Sequence, residues 1–171
     1  MRDYIQRKAS TGATYIELES LSQTGWELQQ EILAWKLSAK DPNSFNQVAM
    51  LYQQGMLIYL SGQYDYRPEL GTLPANVPRR TGTEIQTHVL RILDLTPHLL
   101  NKSNFAEVMY LFPLRVAGAR AVDFVTRSKV IGLARRIAER GFRVTERVLS
   151  DLQLLWRFRD SGLAPLPITE I

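Results

Sequence analysis

No cysteine occurs among the 171 residues. That excludes disulfides, thiolate catalysis and any cysteine-ligated zinc or iron–sulfur centre within them. Apolar runs are short. None approaches the ~20 residues of a membrane span, and residues 1–10 are polar and charged where a secretory leader needs an apolar run. The reading is therefore a soluble, intracellular protein with no membrane partner. There is no glycine-rich phosphate loop, no G-x-S-x-G elbow and no H-E-x-x-H pair. Histidine is scarce: His88 and His98 stand ten residues apart, which does not match a helical metal spacing. No metal site and no cofactor is expected. Catalysis by shape and a few hydrogen bonds needs none of these motifs, so the enzyme question stays open.

What is present is ordinary globular material. Hydrophobic residues make up 45% and charged residues 22%, enough for a real core in one domain. The net charge of +4 is uneven, because residues 102–160 hold 12 Lys/Arg against 6 Asp/Glu. A nucleic-acid binder usually carries a denser patch with interleaved aromatics, so this excess reads as a solvated helical surface. Nowhere do apolar and polar residues alternate at period two. The expected fold is all-α, a single helical domain of about six helices over residues 13–160, with an extended tail over 161–171 carrying Pro165 and Pro167.

The spacing predicts a first helix from about Ala13 to Leu37, with Leu18, Leu21, Gly25, Leu28, Ile32 and Trp35 in one stripe. Asp41-Pro42-Asn43 breaks it, and Asn43 or Ser44 caps the second. There Phe45, Val48, Ala49, Tyr52, Met56, Tyr59 and Leu60 share a face, while Leu51, Leu57 and Ile58 make another, the mark of a central helix. Ser61 to Gly82 reads as a connecting loop rich in Gly and Pro, with Tyr64 and Tyr66 at its start. Thr81-Gly-Thr-Glu84 fits a capping box opening a third helix with Ile85, Val89, Ile92 and Leu93 inward, and Pro97 is expected to end it at Thr96.

A fourth helix is expected from a cap at Asn104, with Phe105, Val108, Met109 and Phe112 inward and a kink at Pro113. Ala117, Gly118, Ala119 and Ala121 are small enough for close helix contact, and Asp123 and Arg127 have the spacing of a helical ion pair. Val130, Leu133, Ala134 and Ile137 mark a fifth helix, or a continuation of the fourth. Lys129, Arg136, Arg140 and Arg143 lie on another stripe, and Gly141 is the stop. The last helix, from about Thr145 to Asp160, turns Val148, Leu152, Leu155 and Trp156 inward.

Several stretches together carry a resemblance. They are Glu27-Leu-Gln-Gln-Glu-Ile-Leu-Ala-Trp35, Ala49-Met-Leu-Tyr52 with Met56-Leu-Ile-Tyr-Leu60, and Val89-Leu-Arg-Ile-Leu93. Most specific are Leu111-Phe-Pro-Leu-Arg-Val-Ala-Gly-Ala-Arg-Ala121 and the ending Arg140-Gly-Phe142 with Val148 to Asp160. In this order the chain resembles the fungal-specific transcription factor domain, the regulatory region behind the zinc binuclear cluster of fungal regulators. The family's zinc cluster uses cysteines, and here there are none. Ala119 and Arg120 stand where the family commonly has Cys and Glu.

The resemblance implies a regulatory or interaction module of transcription control. It would act through a protein partner or a homodimer, without direct sequence-specific DNA binding, in the nucleus. The alternative is a stand-alone relative in fungal secondary metabolism, binding an apolar small molecule or acting as a cyclase or isomerase in the cytoplasm. For that alternative the candidate pocket residues, taken from helix faces, are Tyr52, Tyr59, His88, Tyr110, Trp35 and Arg115.

Overall fold

The computed structural model describes residues 15–35, 44–65, 80–102 and 106–162. The fold is all-α. Among the described residues six α-helices run in order: α1 (Tyr15–Ala34), α2 (Ser44–Asp65), α3 (Gly82–Lys102), α4 (Leu111–Arg120), α5 (Phe124–Glu139) and α6 (Val144–Asp160), with a 3-10 turn at Glu107–Tyr110 before α4. The expected break at Asp41-Pro42-Asn43, Tyr66 and most of the connecting loop, the cap at Asn104 with Phe105, and the tail prolines lie outside the described residues.

The described residues fall into two compact units, one drawn from Met1–Lys36 and Tyr59–Arg80, the other from Leu37–Ile58 and Thr81–Ile171. In the first unit α1 buries Ser22, Gly25, Gln29 and Ile32 at alternating spacings of three and four. The predicted stripe is thus displaced. Leu28 and Trp35 are exposed, as are Trp26 and Leu33. Also in this unit, Leu60 and Ser61 are buried and helix continues through Asp65, so the loop begins later than its Gly62 suggests. Ser61 Oγ there accepts the Arg80 N–H at 3.0 Å.

The second unit holds the larger core. Leu51, Ile58, Val89, Ile92, Leu114, Val130, Ile137 and Trp156 belong to one continuous apolar cluster. Helix α3 packs on α4 and α5, and α4, α5 and α6 pack on one another. The capping box at the start of α3 is formed as predicted: the Thr81 N–H donates to Glu84 Oε2 at 2.8 Å, and the Glu84 N–H to Thr81 Oγ1 at 3.2 Å.

Pro97 does not end α3, which continues to Lys102. An internal proline costs about 3 kcal/mol. Continuing the helix buries Leu99 and Leu100 in step with Ile85, Val89, Ile92, Leu93 and Thr96, and each buried leucine returns about 1.5–3 kcal/mol. Burial outweighs the lost hydrogen bond. The Thr96 hydroxyl, itself buried, donates to the Ile92 carbonyl at 2.7 Å.

Pro113, expected to kink a helix, is the third residue of α4. In a first turn its missing N–H has no intrahelical role, so it starts a helix instead of bending one. The tighter 3-10 turn ahead of it shifts the phase of the side chains. Tyr110 and Leu111 are buried, whereas Val108 and Phe112, expected inside, are exposed. Gly141 is the predicted stop. Its φ of 97° is open to glycine, and its N–H donates to the Ala138 carbonyl at 2.9 Å.

Candidate functional site

The six residues marked as pocket candidates divide between the units. Trp35, 47% exposed, and Tyr59, 50% exposed, belong to the first. Tyr52, His88, Tyr110 and Arg115 belong to the second. Tyr52 is half-buried in the middle of α2. Its hydroxyl donates to the Met109 carbonyl at 2.8 Å, and its ring stacks on Phe112 with centroids 5.8 Å apart. Burial raises its pKa above the ordinary phenol value, so it is a neutral hydrogen-bonding group at physiological pH.

His88 is buried, and its Nδ1 lies 2.6 Å from Gln54 Oε1. With a glutamine oxygen as acceptor, that ring nitrogen carries the hydrogen. Tyr110 is wholly buried in the apolar cluster, and Arg115 stands 3.9 Å from Asp151. Tyr52 and Phe112 thus make a stacked, half-open aromatic pair between α2 and α4, while His88 and Tyr110 have the burial of core residues. Among the described residues no group of three or more His, Asp or Glu is placed to hold a metal ion.

A second constellation joins α4, α5 and α6. A Cβ on Gly118 would stand 2.7 Å from Leu152 Cδ1 and 3.0 Å from Val130 Cγ1, so the small residue is what lets these helices touch. The Trp156 indole N–H donates to the Gly118 carbonyl at 2.9 Å. Arg127 lies over the Trp156 ring at 5.5 Å and grips Asp160 through two hydrogen bonds of 2.7 and 3.0 Å. That pairing holds the Asp160 carboxyl below its ordinary pKa and the Arg127 guanidinium above its own.

The expected Asp123–Arg127 helical pair is not the contact made. Asp123 has extended backbone ahead of α5 and acts as its cap, accepting the Thr126 N–H at 2.8 Å and the Thr126 hydroxyl at 2.6 Å. These bonds lower its pKa. Sequence reasoning missed the Arg127–Asp160 bond. The available signal was the four-residue spacing of Trp156 and Asp160, which places both on one side of α6, where a single guanidinium reaches them.

Exposed apolar side chains of the second unit cluster in two places, apart from the separate Leu90, Val144 and Leu154. Phe45, Tyr52 and Met56 follow one side of α2, where Phe45 and Met56 are exposed, and Phe112 with Val108 is exposed in the segment stacked on Tyr52. Around the turn from α4 to α5, Val122, Phe124 and Val125 are 63%, 83% and 64% exposed. Clusters of this kind commonly mark surfaces that other molecules cover.

Among known families, the model of the fungal-specific transcription factor domain matches residues 3–166. No curated protein and no solved structure matches the chain. The two most specific stretches of the resemblance, 111–121 and 148–160, are the ones that meet at Gly118 and Trp156.

Proposed function

Because the chain belongs to the fungal-specific transcription factor domain family, we propose that it is a regulatory module of transcription control that works by binding a protein partner or a second copy of itself. These 171 residues contain no cysteine and so hold no zinc cluster with which to read DNA. The observation that carries the reading is the apolar surface outside a well-formed core, above all Val122, Phe124 and Val125. Its place of action is the nucleus.

The test is to tether the chain to an unrelated DNA-binding domain upstream of a reporter in a fungal host. The expected result is a several-fold rise or fall in transcription, with nuclear accumulation of the untethered chain. A reporter indifferent to the tethered chain overturns the reading.

A second reading, a site for an apolar small molecule, is favoured by one observation. The Tyr52–Phe112 pair offers a half-open aromatic surface beside a fixed hydroxyl. Incubation with an extract of fungal metabolites tests it. Retention or conversion of one metabolite by the native chain, lost in Tyr52→Ala, supports a ligand site in which the remaining candidates are tested in turn.

A further inference from the structure

The strongest unexplained surface is the outer face of α5. At 100° per residue, Phe124, Ser128 and Arg135 fall in one row along that helix, with Val125, Lys129 and Gly132 in the next. Thr126, Val130, Leu133, Ala134 and Ile137 occupy the opposite side and are buried. Phe124, Val125, Ser128, Lys129, Gly132 and Arg135 are exposed, while Ile131 and Arg136 in the same rows are half-buried.

The face is divided by chemistry. Its beginning is apolar, with Phe124 and Val125 joined by Val122 from the preceding turn. Its middle is small, and a Cβ on Gly132 would meet nothing within 4 Å. Its remainder is cationic. Residues 120–147 contain eight Lys/Arg and three Asp/Glu, and several of these charges are already committed. Arg127 holds Asp160, and Arg140 pairs with Glu107 and donates to the Leu100 carbonyl at 3.0 Å. Arg136 donates to Asn101 Oδ1 at 2.7 Å, and Asp123 is taken up in capping Thr126. Among the described residues, the side chains of Lys129 and Arg135 make no ion pair or hydrogen bond. The one acid within α5 is Glu139, at its last residue.

We propose that this face of α5 binds an acidic peptide segment carrying bulky apolar side chains, its carboxylates against Lys129 and Arg135 and its apolar residues against Phe124, Val125 and Val122. The proposal rests on the interaction-module reading and names the partner's chemistry. Charge complementarity selects the occupant. A second copy packed symmetrically on the same face would bring Lys129 and Arg135 against like charges. A nucleic acid would satisfy the cations and stack on Phe124, yet it leaves Val122 and Val125 without an apolar partner. An acidic segment with apolar residues uses both halves. From Phe124 to Arg136 the face is about 18 Å long, the length of three turns of a bound helix.

The experiment measures fluorescence anisotropy of three labelled probes with the full chain. They are a twenty-residue peptide alternating Asp/Glu with Leu/Phe, a peptide of equal charge lacking apolar residues, and a DNA duplex of mixed sequence. The first is expected to bind at least about tenfold more tightly than the others, and more weakly as salt rises. Phe124→Ser and the pair Lys129→Glu with Arg135→Glu are each expected to weaken it about tenfold.

Circular dichroism melting of each variant shows whether it is folded. Val125→Ser replaces Phe124→Ser if that variant melts early. Absence of peptide binding, equal binding of the apolar-free peptide, tighter binding of DNA, or unchanged affinity in the variants overturns the proposal. A tethered reporter that still responds in the Lys129→Glu, Arg135→Glu chain places the partner elsewhere and leaves the interaction-module reading standing.

Discussion

On its inner side α5 sets Val130 against Gly118 and turns Leu133, Ala134 and Ile137 into the core, whereas on its outer side it holds Phe124 and Val125 in solvent beside Lys129 and Arg135. The inner side leaves almost no slack, because a single added methyl at Gly118 meets two side chains. The outer side is loose, and a Cβ at Gly132 meets nothing. One helix therefore carries two kinds of information. The inner residues specify the fold and tolerate little change in volume. The outer residues do nothing visible for the fold, and the proposed acidic partner would account for their apolar and cationic character.

Substitutions at core and surface should separate in size. The largest loss is expected for Tyr110→Ala, since a wholly buried aromatic ring is removed from the centre of the cluster. Large-to-small changes of this kind cost about 3–5 kcal/mol. Urea denaturation should show it as a lower midpoint with little change in slope. A loss below about 1 kcal/mol would mean that the core collapses around the gap, and the inner side is less exacting than its geometry implies.

Gly118→Ala comes next. Its Cβ would press on Leu152 Cδ1 and Val130 Cγ1, and overpacking of a filled core costs about 1–3 kcal/mol. The sharper measurement is the double variant Gly118→Ala with Leu152→Ala. Removing the leucine methyls makes room for the new one, so the double variant should lose less than the sum of the singles. Strict additivity would break the claim that Gly118 is small because Leu152 is there.

The inner side was also the legible one. The capping box at Thr81, the stripe from Ile85 to Leu93, the run from Val130 to Ile137 and the stop at Gly141 each follow from local chemistry, and each is found where it was expected. The misreadings arose where a distant residue decides. Pro97 argues locally for a helix end, but the place for Leu99 and Leu100 is made by other helices. Asp123 and Arg127 look like a pair only if both lie within one helix, and the helix begins between them. In α1 the apolar arc is wide enough that periodicity cannot tell its centre from its edges, so the stripe includes Leu28 and Trp35, which are outside. The pocket candidates met the same limit. A helix face can be read from sequence, but whether a neighbour covers it cannot, and Tyr110 proved wholly buried while Tyr59 is half exposed.

Smaller effects test the surface devices that finish the core. Thr81→Ala removes the hydroxyl that accepts the Glu84 N–H and should cost about 1 kcal/mol, seen as faster amide exchange in the first turn of α3. Acid should act in the same direction. The carboxyls of Asp123, Asp160 and Glu107 have pKa values below their ordinary ones because of hydrogen bonds to Thr126, Arg127 and, for Glu107, its own backbone and Arg140. Between the folded and unfolded values the unfolded chain binds more protons. Their stabilisation is therefore complete above the ordinary carboxylate range and is lost as pH falls through and below it. Asp160→Asn should flatten that part of a melting-temperature profile against pH. An unchanged profile would show that the Arg127 grip is not maintained in solution.

Phe124→Ser is expected to change stability least, within about 0.5 kcal/mol, and for that reason it bears most directly on the comparison. With 83% of its surface in water, Phe124 gains almost nothing from folding, while the Asp123 cap and the buried Thr126 on either side hold the helix start without it. A serine there should leave the melting curve in place. A marked loss of stability would mean that Phe124 is covered in solution by another copy of the chain. That outcome would be recognised by a melting temperature that rises with protein concentration in the native chain and stops doing so in the variant. An unchanged melt at every concentration would leave the phenylalanine free for a partner of another kind.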